Sequence, residues 1–422
     1  MADRDSDVLT DVCVIGGGPA GLALALLLAR SGVDVTVVEK SSSFERAFRG
    51  EILQPGGLAV LEELGVLQAA RNRGSHVHDR FQLLSGGKAI LGVDYKAMPG
   101  PYNYMLSVPQ QNILEELLAA CRREPAFRYL AGTRVTDLVR DGGAVRGAVV
   151  SGPRGTRNVR ARCVVGADGR YSKTRQLSGI PYDRRDVFTF DLLWFKLPAT
   201  GEPLRDVTIR GGGGRMLLSY SSYPEGVQLG WALPHGGYRA FAARPFTEFR
   251  DQLCQAAPEY AGRIYERVRG LTDLSLLDVF AGTAREWARD GLLLIGDAAH
   301  THSPLGAQGL NLALQDAVLA HPVLLKALRR SGPVDAAALA DYTAPRTADI
   351  RKVLKFQHIQ AKGMLGSRSK AVEAGRHLMA SIVHRTPIGH KLTKMVAFGN
   401  PACRVRTDLY ASAGAARPAP PA

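Results

Sequence analysis

Three short stretches of this 422-residue chain hold residues whose types and spacing could do chemistry. In the first, Gly16, Gly18 and Gly21 stand in GxGxxG spacing around Pro19 and Ala20. One such glycine makes a tight turn, one admits a pyrophosphate against the backbone, and one packs helix on sheet. Glu39, with Lys40 after it, arrives 18 residues beyond Gly21, placed to bond ribose hydroxyls. NAD and FAD share this fingerprint, so the stretch predicts a dinucleotide without choosing one. The second stretch is Asp168-Gly169, followed by Ser172 and Arg175. The third, GDAAHTHSPLGAQGLNLALQDA, runs from Gly296 to Ala317 and opens like a phosphate loop, yet no Lys-Ser or Lys-Thr follows its glycines. With breaks at Pro304, Gly306 and Gly309, a helix beginning near Gly309 aims its amide-rich end at an electron-rich group other than a nucleoside triphosphate. His300 and His302 form a His-x-His pair, but no third ligand is spaced nearby, so no metal site is expected.

The flanking patterns predict the elements that position these stretches. Asp11 to Lys40 reads as buried strand, glycine turn, long apolar helix, turn at Ser31-Gly32 and β-branched strand, a βαβ unit. RVTDLVRDGGAVRGAVVSG reads as a meander turning at Asp141-Gly142-Gly143, and both acidic motifs end apolar strands, CVVGAD and GLLLIGD. Between Ile180 and Leu277 the pattern changes to FTFDLLWFKLP, RMLLSYSSY and VQLGWALP, broken by RGGGGR and YPEG turns, with a helical region from Phe246 to Arg269. Alternation puts Phe188, Phe190, Leu192 and Trp194 on one face of the first strand, and Thr189, Asp191, Leu193 and Phe195 on the other. The expected class is α/β: a discontinuous Rossmann-like dinucleotide domain (1–76, 101–179, 278–345), an inserted β-sheet domain (77–100, 180–277) and C-terminal helices (346–410).

A hydrophobic fraction of 45% with 22% charged residues is ordinary for a globular chain, and only the Ala/Pro-rich end, 411–422, reads as a disordered tail. Five cysteines without any CxxC argue against a disulfide framework, a zinc site or a dithiol centre. The acidic, polar start MADRDSD resembles no secretory signal, and LALALLLA is too short to span a bilayer, so a soluble, cytoplasmic protein is expected. Most of the net charge of +15 sits between Arg346 and Arg406, where 13 Lys/Arg face two acidic residues, a net of +11. No nucleic-acid motif accompanies it. Ile350, Val353, Leu354 and Gln357 follow helical spacing beside Arg351, Lys352 and Lys355, a pattern that would allow peripheral contact with an anionic membrane.

Taken in order, the three motifs resemble those of the FAD-dependent aromatic hydroxylases, the single-component flavin monooxygenases typified by para-hydroxybenzoate hydroxylase. The resemblance spans roughly residues 10 to 345. It implies that FAD is the dinucleotide and that the group facing Gly309, Leu310 and Asn311 is the flavin ring, whose negative charge on reduction a positive helix end stabilises. Asp297 would hold a ribityl hydroxyl, with Gly306 in the loop beside the ring, and Asp168 and Gly169 would lie near the pyrophosphate. By the same resemblance Arg49 is expected near the pyrophosphate, Gln110 facing the cofactor and Val135 against adenine. Without a second GxGxxG, NAD(P)H is expected to bind transiently. The implied reaction is attack by a flavin C4a-hydroperoxide, formed with dioxygen, on a phenolic or polycyclic aromatic substrate, with secondary metabolism as the expected setting. Pro304 would approach that substrate through its carbonyl, and the face bearing Phe190 and Trp194 would wall the pocket. No catalytic base is identified. An epoxidase or reductase of an isoprenoid or quinone, and a non-catalytic FAD-bound protein, keep the fold but change the role. A halogenase would carry WxWxIP, where this chain has GWALP with only Trp231.

Overall fold

A computed structural model describes residues 7–45, 50–199, 201–212, 215–224, 226–332, 334–364 and 386–411. An eight-stranded sheet runs in the order Ala288–Arg289, Leu292–Leu294, Gly155–Gly166, Val8–Ile15, Val35–Val38, Phe127–Leu130, with Ala144–Gly152 and Arg134–Asp141 continuing from Gly155–Gly166 as the expected meander. Its central pairings are parallel. Covered on both faces, the inner strands are continuously apolar rather than alternating, as VCVI and VTVV show. Helix Pro19–Arg30 is buried from Ala20 to Ala29, pressed between the sheet and helices Gln110–Cys121 and Gln308–Leu328. Hydrophobic on every side, it has no solvent face to make polar. Gly21 permits that approach, because a Cβ there would stand 2.0 Å from the Gly16 carbonyl oxygen.

The second sheet has seven strands in the order Ser275–Leu277, Phe190–Pro198, Gly226–Pro234, Arg215–Ser222, Asp206–Gly212, Arg80–Ser85, Lys88–Asp94. Both faces of Phe190–Pro198 are buried, for two reasons. Leu193, Phe195 and Leu197 pack beneath helices Phe246–Ala256 and Ala261–Arg267, through Phe249, Leu253 and Ile264. Phe188, Phe190, Leu192 and Trp194 instead meet Ile52, Met105 and Leu305 of the first layer. Gly230 opposite Trp194 leaves room for the indole, since a Cβ there would stand 2.7 Å from it. Asp191 pins the sheet to the strands beside it, accepting hydrogen bonds from His235 Nδ1 (2.9 Å), Gly236 N (2.8 Å) and Val279 N (3.0 Å). Asp278 beside it is taken by Tyr171 and Arg184, so the Asp191, His235 and Asp278 cluster is closed by donors rather than shaped for a cation. This α/β architecture, a dinucleotide-type sheet with an inserted β-layer and C-terminal helices, is the expected class.

Two expectations for the C-terminal region are corrected. The stripe read as a possible membrane face lies in helix Ala340–Met364 and is turned inward: Ile350 and Gln357 are each 1% exposed, and Val353 and Leu354 pack on the core. An amphipathic stripe looks the same in sequence whether lipid or protein covers it. Flotation with anionic vesicles at physiological salt should therefore leave the protein with the soluble fraction; co-flotation would show another surface binding lipid. Among the described residues, no helix is long and apolar enough to cross a membrane. Ala411, assigned to the tail, is held: its N–H donates to the Arg30 carbonyl at 2.8 Å. The remainder of the tail, 412–422, lies outside the described residues.

Candidate flavin and substrate site

The glycine turn sits where strand Val8–Ile15 gives way to helix Pro19–Arg30. Gly16 has φ +111°, and a Cβ there would stand 2.4 Å from the Ala167 carbonyl, so the segment before Asp168-Gly169 lies directly against the first glycine. Glu39 is buried at the end of the second strand, accepting from Gly17 N at 2.7 Å and Ser41 N at 2.9 Å. Its carbonyl accepts from Thr133 N at 2.9 Å, which brings the half-buried Val135 close to this strand end. Lys40 is exposed, Gln110 begins helix Gln110–Cys121 after Pro109, and Arg49 lies outside the described residues.

The two acidic motifs are joined to each other. Asp168 accepts from Ser172 Oγ, Thr174 N (2.9 Å) and Thr174 Oγ1 (3.0 Å), so its carboxylate orders the turn that follows rather than standing free. From that turn, Arg175 donates to the Ala298 carbonyl at 2.7 Å, and Arg170 Nε pairs with Asp297 Oδ2 at 3.2 Å. Gly296, at φ +59°, places its backbone so that a Cβ would meet Ala20 Cβ at 3.2 Å, which brings the third motif against the first helix. Three glycines from three segments, Gly18, Gly169 and Gly309, have nothing within 4 Å of where a Cβ would stand. Open backbone on a glycine turn, an Asp-Gly turn and a helix start fits a long dinucleotide carrying phosphates and a polar ring.

The helix expected near Gly309 begins at Gln308 and runs to Leu328. Ala307 caps it in the left-handed region, φ 51°, and no side chain caps its first amides. A helix end without a capping side chain retains the donors and positive potential an external acceptor would use. Leu310 is buried, and Asn311 is turned inward: its Oδ1 accepts from Gln54 N at 3.0 Å and its Nδ2 donates to the Ala307 carbonyl at 2.6 Å. Gln54 also donates to the Gly306 carbonyl at 3.0 Å and accepts from Tyr95 OH at 2.8 Å. Burial pushes the Tyr95 phenol up to about 12, so it stays a neutral donor. The Pro304 carbonyl closes a local turn, accepting from Ala307 N at 3.0 Å, which leaves one lone pair for a ligand. Leu305 and Ala307 of this loop pack with the sheet face bearing Phe190 and Trp194, and Trp194 meets Tyr220 edge-on at 6.5 Å.

Gln54, Tyr95, Asp316 and Arg346 were not read from the sequence. Asp316 lies two turns into the helix, fully buried, and accepts from Gly296 N (2.7 Å), His300 Nε2 (2.7 Å) and Arg346 Nε (2.7 Å). Burial alone would raise its carboxyl; His300 and Arg346, which both donate to it, hold it well below the usual carboxylate range. His300 Nδ1 meets His302 Nε2 at 2.8 Å, so the histidine pair is committed to hydrogen bonds.

Residues 9–357 match the family model described as FAD binding domain. A 6-methylpretetramide 4-monooxygenase of Streptomyces rimosus is 52% identical over 401 residues, 95% of this chain and 95% of that protein. A 12-dehydrotetracycline 5-monooxygenase/anhydrotetracycline 6-monooxygenase of Streptomyces rimosus subsp. rimosus is 30% identical over 394 residues, covering 89% of this chain and 73% of that protein. Among solved structures, a probable FAD-dependent monooxygenase from Pseudomonas aeruginosa superposes with a TM-score of 0.74 at 25% identity, covering 88% of this chain and 99% of that one. The p-nitrophenol 4-monooxygenase of Pseudomonas putida DLL-E4 shares the fold, with a TM-score of 0.77 at 20% identity over 94% of this chain and 100% of that one.

Proposed function

Because the chain belongs to the FAD binding domain family and is an FAD-dependent aromatic monooxygenase, we propose that it hydroxylates one ring carbon of a polycyclic phenol of the pretetramide type, in the cytoplasm, with NAD(P)H as reductant. The observation that carries the site is the junction at Leu305 and Ala307, where an uncapped helix start borders a buried aromatic sheet face. Bound FAD, once reduced, supplies the activation of dioxygen and the transfer of one oxygen atom to an electron-rich ring. The chain binds, orients and keeps dry. Gly16, Gly18, Gly21 and Glu39 would hold the nucleotide half, and Asp297 a hydroxyl of the flavin chain. The amides of Gly309 and Leu310 would face the electron-rich edge of the ring, while Gln54 fixes the loop carrying Gly306 and Pro304. Phe190, Leu192 and Trp194 would exclude water from the reacting centre and press an aromatic substrate toward that loop.

The test is oxygen uptake by the FAD-loaded protein with NADH or NADPH and 6-methylpretetramide. The expected result is one product heavier by one oxygen atom per NAD(P)H consumed. Reduction or epoxidation of an isoprenoid or quinone in its place, or no substrate-dependent oxygen uptake with any phenol, would overturn the proposal.

Gly309→Asp probes the helix start. Gly309 occupies the first helical turn with open space around it, so the new carboxylate should leave the helix as stable or more so. Beside an electron-rich ring the same charge is repelled; up to about 2 kcal/mol is available at such an end, a weakening of FAD binding of up to roughly thirtyfold. Flavin fluorescence titration measures the affinity and apoprotein melting the stability. Undiminished FAD affinity would remove Gly309 from the flavin site.

A further inference from the structure

His300 and His302 follow Asp297 and are buried, 0% and 3% exposed, and their hydrogens can be counted. Asp316 is a carboxylate with acceptors only, so its 2.7 Å contact with His300 Nε2 requires a hydrogen on that nitrogen. A neutral imidazole has one N–H, so His300 Nδ1 is then a bare acceptor, and the 2.8 Å bond to His302 Nε2 places the bridging hydrogen on His302. Neutral His302 is left with a bare Nδ1, and that atom faces Asp297 Oδ1 at 4.0 Å. Lone pair opposes carboxylate, and the gap stays open. When one proton is added, the bridging hydrogen can sit on either ring, but the third N–H has only one place left, His302 Nδ1. An N–H there turns repulsion into a charged hydrogen bond, whose ordinary length of about 2.8 Å would draw the carboxylate inward by about 1 Å.

We infer that His302 is a positioning residue for Asp297: with the histidine pair neutral, the carboxylate is left facing its ligand, and one proton on the pair pulls it back. This rests on the reading of Asp297 as a partner of the flavin chain. The charged groups around the pair act in opposite senses. Arg346 across Asp316, and Arg170 on Asp297 Oδ2 at 3.2 Å, oppose the added proton, whereas Asp316 and Asp297 favour it. Arg175, bonded to the Ala298 carbonyl, adds a third cation, with the Tyr182 ring 3.9 Å from it. Trp287 covers His300 at 4.9 Å between ring centres, Tyr342 packs near Trp287, and helix Ala340–Met364 presents the uncharged Gln357 to Ser303. Burial, and then the neighbouring His300, push His302 well below the usual imidazole range, so that a proton on one ring disfavours a second on the other. The 4.0 Å gap between His302 Nδ1 and Asp297 Oδ1 is the geometry of the outward setting.

Two measurements test this. Long-range nitrogen–proton NMR of the histidine rings at neutral pH should show His302 carrying its hydrogen on Nε2 with Nδ1 bare. The FAD dissociation constant of the wild type should rise on acidification by up to about tenfold per pH unit below the titration of the pair. His302→Gln, which keeps a donor for His300 but turns no titrating nitrogen toward Asp297, should lack that rise. A His302 Nδ1–H at neutral pH overturns the inference, as does a wild-type profile no steeper than that of His302→Gln down to the acid limit of folding. Asp297→Asn separates the two readings: unchanged FAD affinity there removes Asp297 from the flavin site, whereas weakened affinity with no effect of His302 overturns this inference alone.

Discussion

Replacing Arg346 with methionine should destabilise the protein by about 3–5 kcal/mol, the cost typical of removing one partner from a buried ion pair. Arg346 Nε lies 2.7 Å from Asp316 Oδ1, the two side chains are 2% and 0% exposed, and the same guanidinium donates to the Leu312 carbonyl at 3.2 Å. Without it the Asp316 carboxylate keeps the hydrogen bonds from His300 and Gly296 N. The pH dependence has a definite sign. In the wild type the carboxyl is held low, so its contribution is present above the unfolded value near ~4 and is lost as pH falls through the lower folded value. In the variant the Arg346 charge no longer offsets burial, so the carboxyl is held less low than in the wild type and the deficit relative to wild type should shrink as pH falls into the acid range. Urea unfolding at several pH values measures this, and adding Asp316→Asn should recover part of the loss by removing the stranded charge. A constant deficit, unchanged in the double variant, would mean that Arg346 acts only by packing.

The three motifs were legible because each is local. Strand, turn and helix are contiguous, and glycine is required where the chain must turn with positive φ or touch another backbone, as at Gly16 and Gly21. The face carrying Phe190 and Trp194 was legible for the same reason, since alternation fixes which residues share a side. What covers a face is decided elsewhere in the chain. Gln54 and Asn311 meet across 257 positions, and Arg346 reaches Asp316 from another helix, with no spacing rule connecting them. Asp168 shows the limit from the other side. A strand-end acid was recognisable, but its engagement by Ser172 and Thr174 depends on how the next turn folds. The membrane stripe on helix Ala340–Met364 was misread because periodicity reports that a face is apolar, not what lies against it.

Phe190→Ala should convert a coupled hydroxylase into one that mainly wastes reductant. Phe190 is 1% exposed on the sheet face turned toward Leu305, edge-on to Phe188 at 6.4 Å between ring centres. Truncation should cost about 3–5 kcal/mol and leave space that water can enter. Oxygen transfer needs an oriented ring and a dry centre, so the enlarged wall should let NAD(P)H oxidation continue while hydrogen peroxide leaves in place of hydroxylated product. Stability loss alone does not predict this, and the opposite side of the same strand supplies the control. Leu193 is 0% exposed beneath helix Phe246–Ala256, away from the flavin loop, and Leu193→Ala should cost about 2–5 kcal/mol by the same cavity effect. Product formed per NAD(P)H oxidised, measured with catalase present and absent on folded, FAD-loaded protein, should fall for Phe190→Ala and hold for Leu193→Ala. Equal coupling in the two variants would place the substrate against other strands of the sheet, because two cavities of similar energy on opposite faces then act alike.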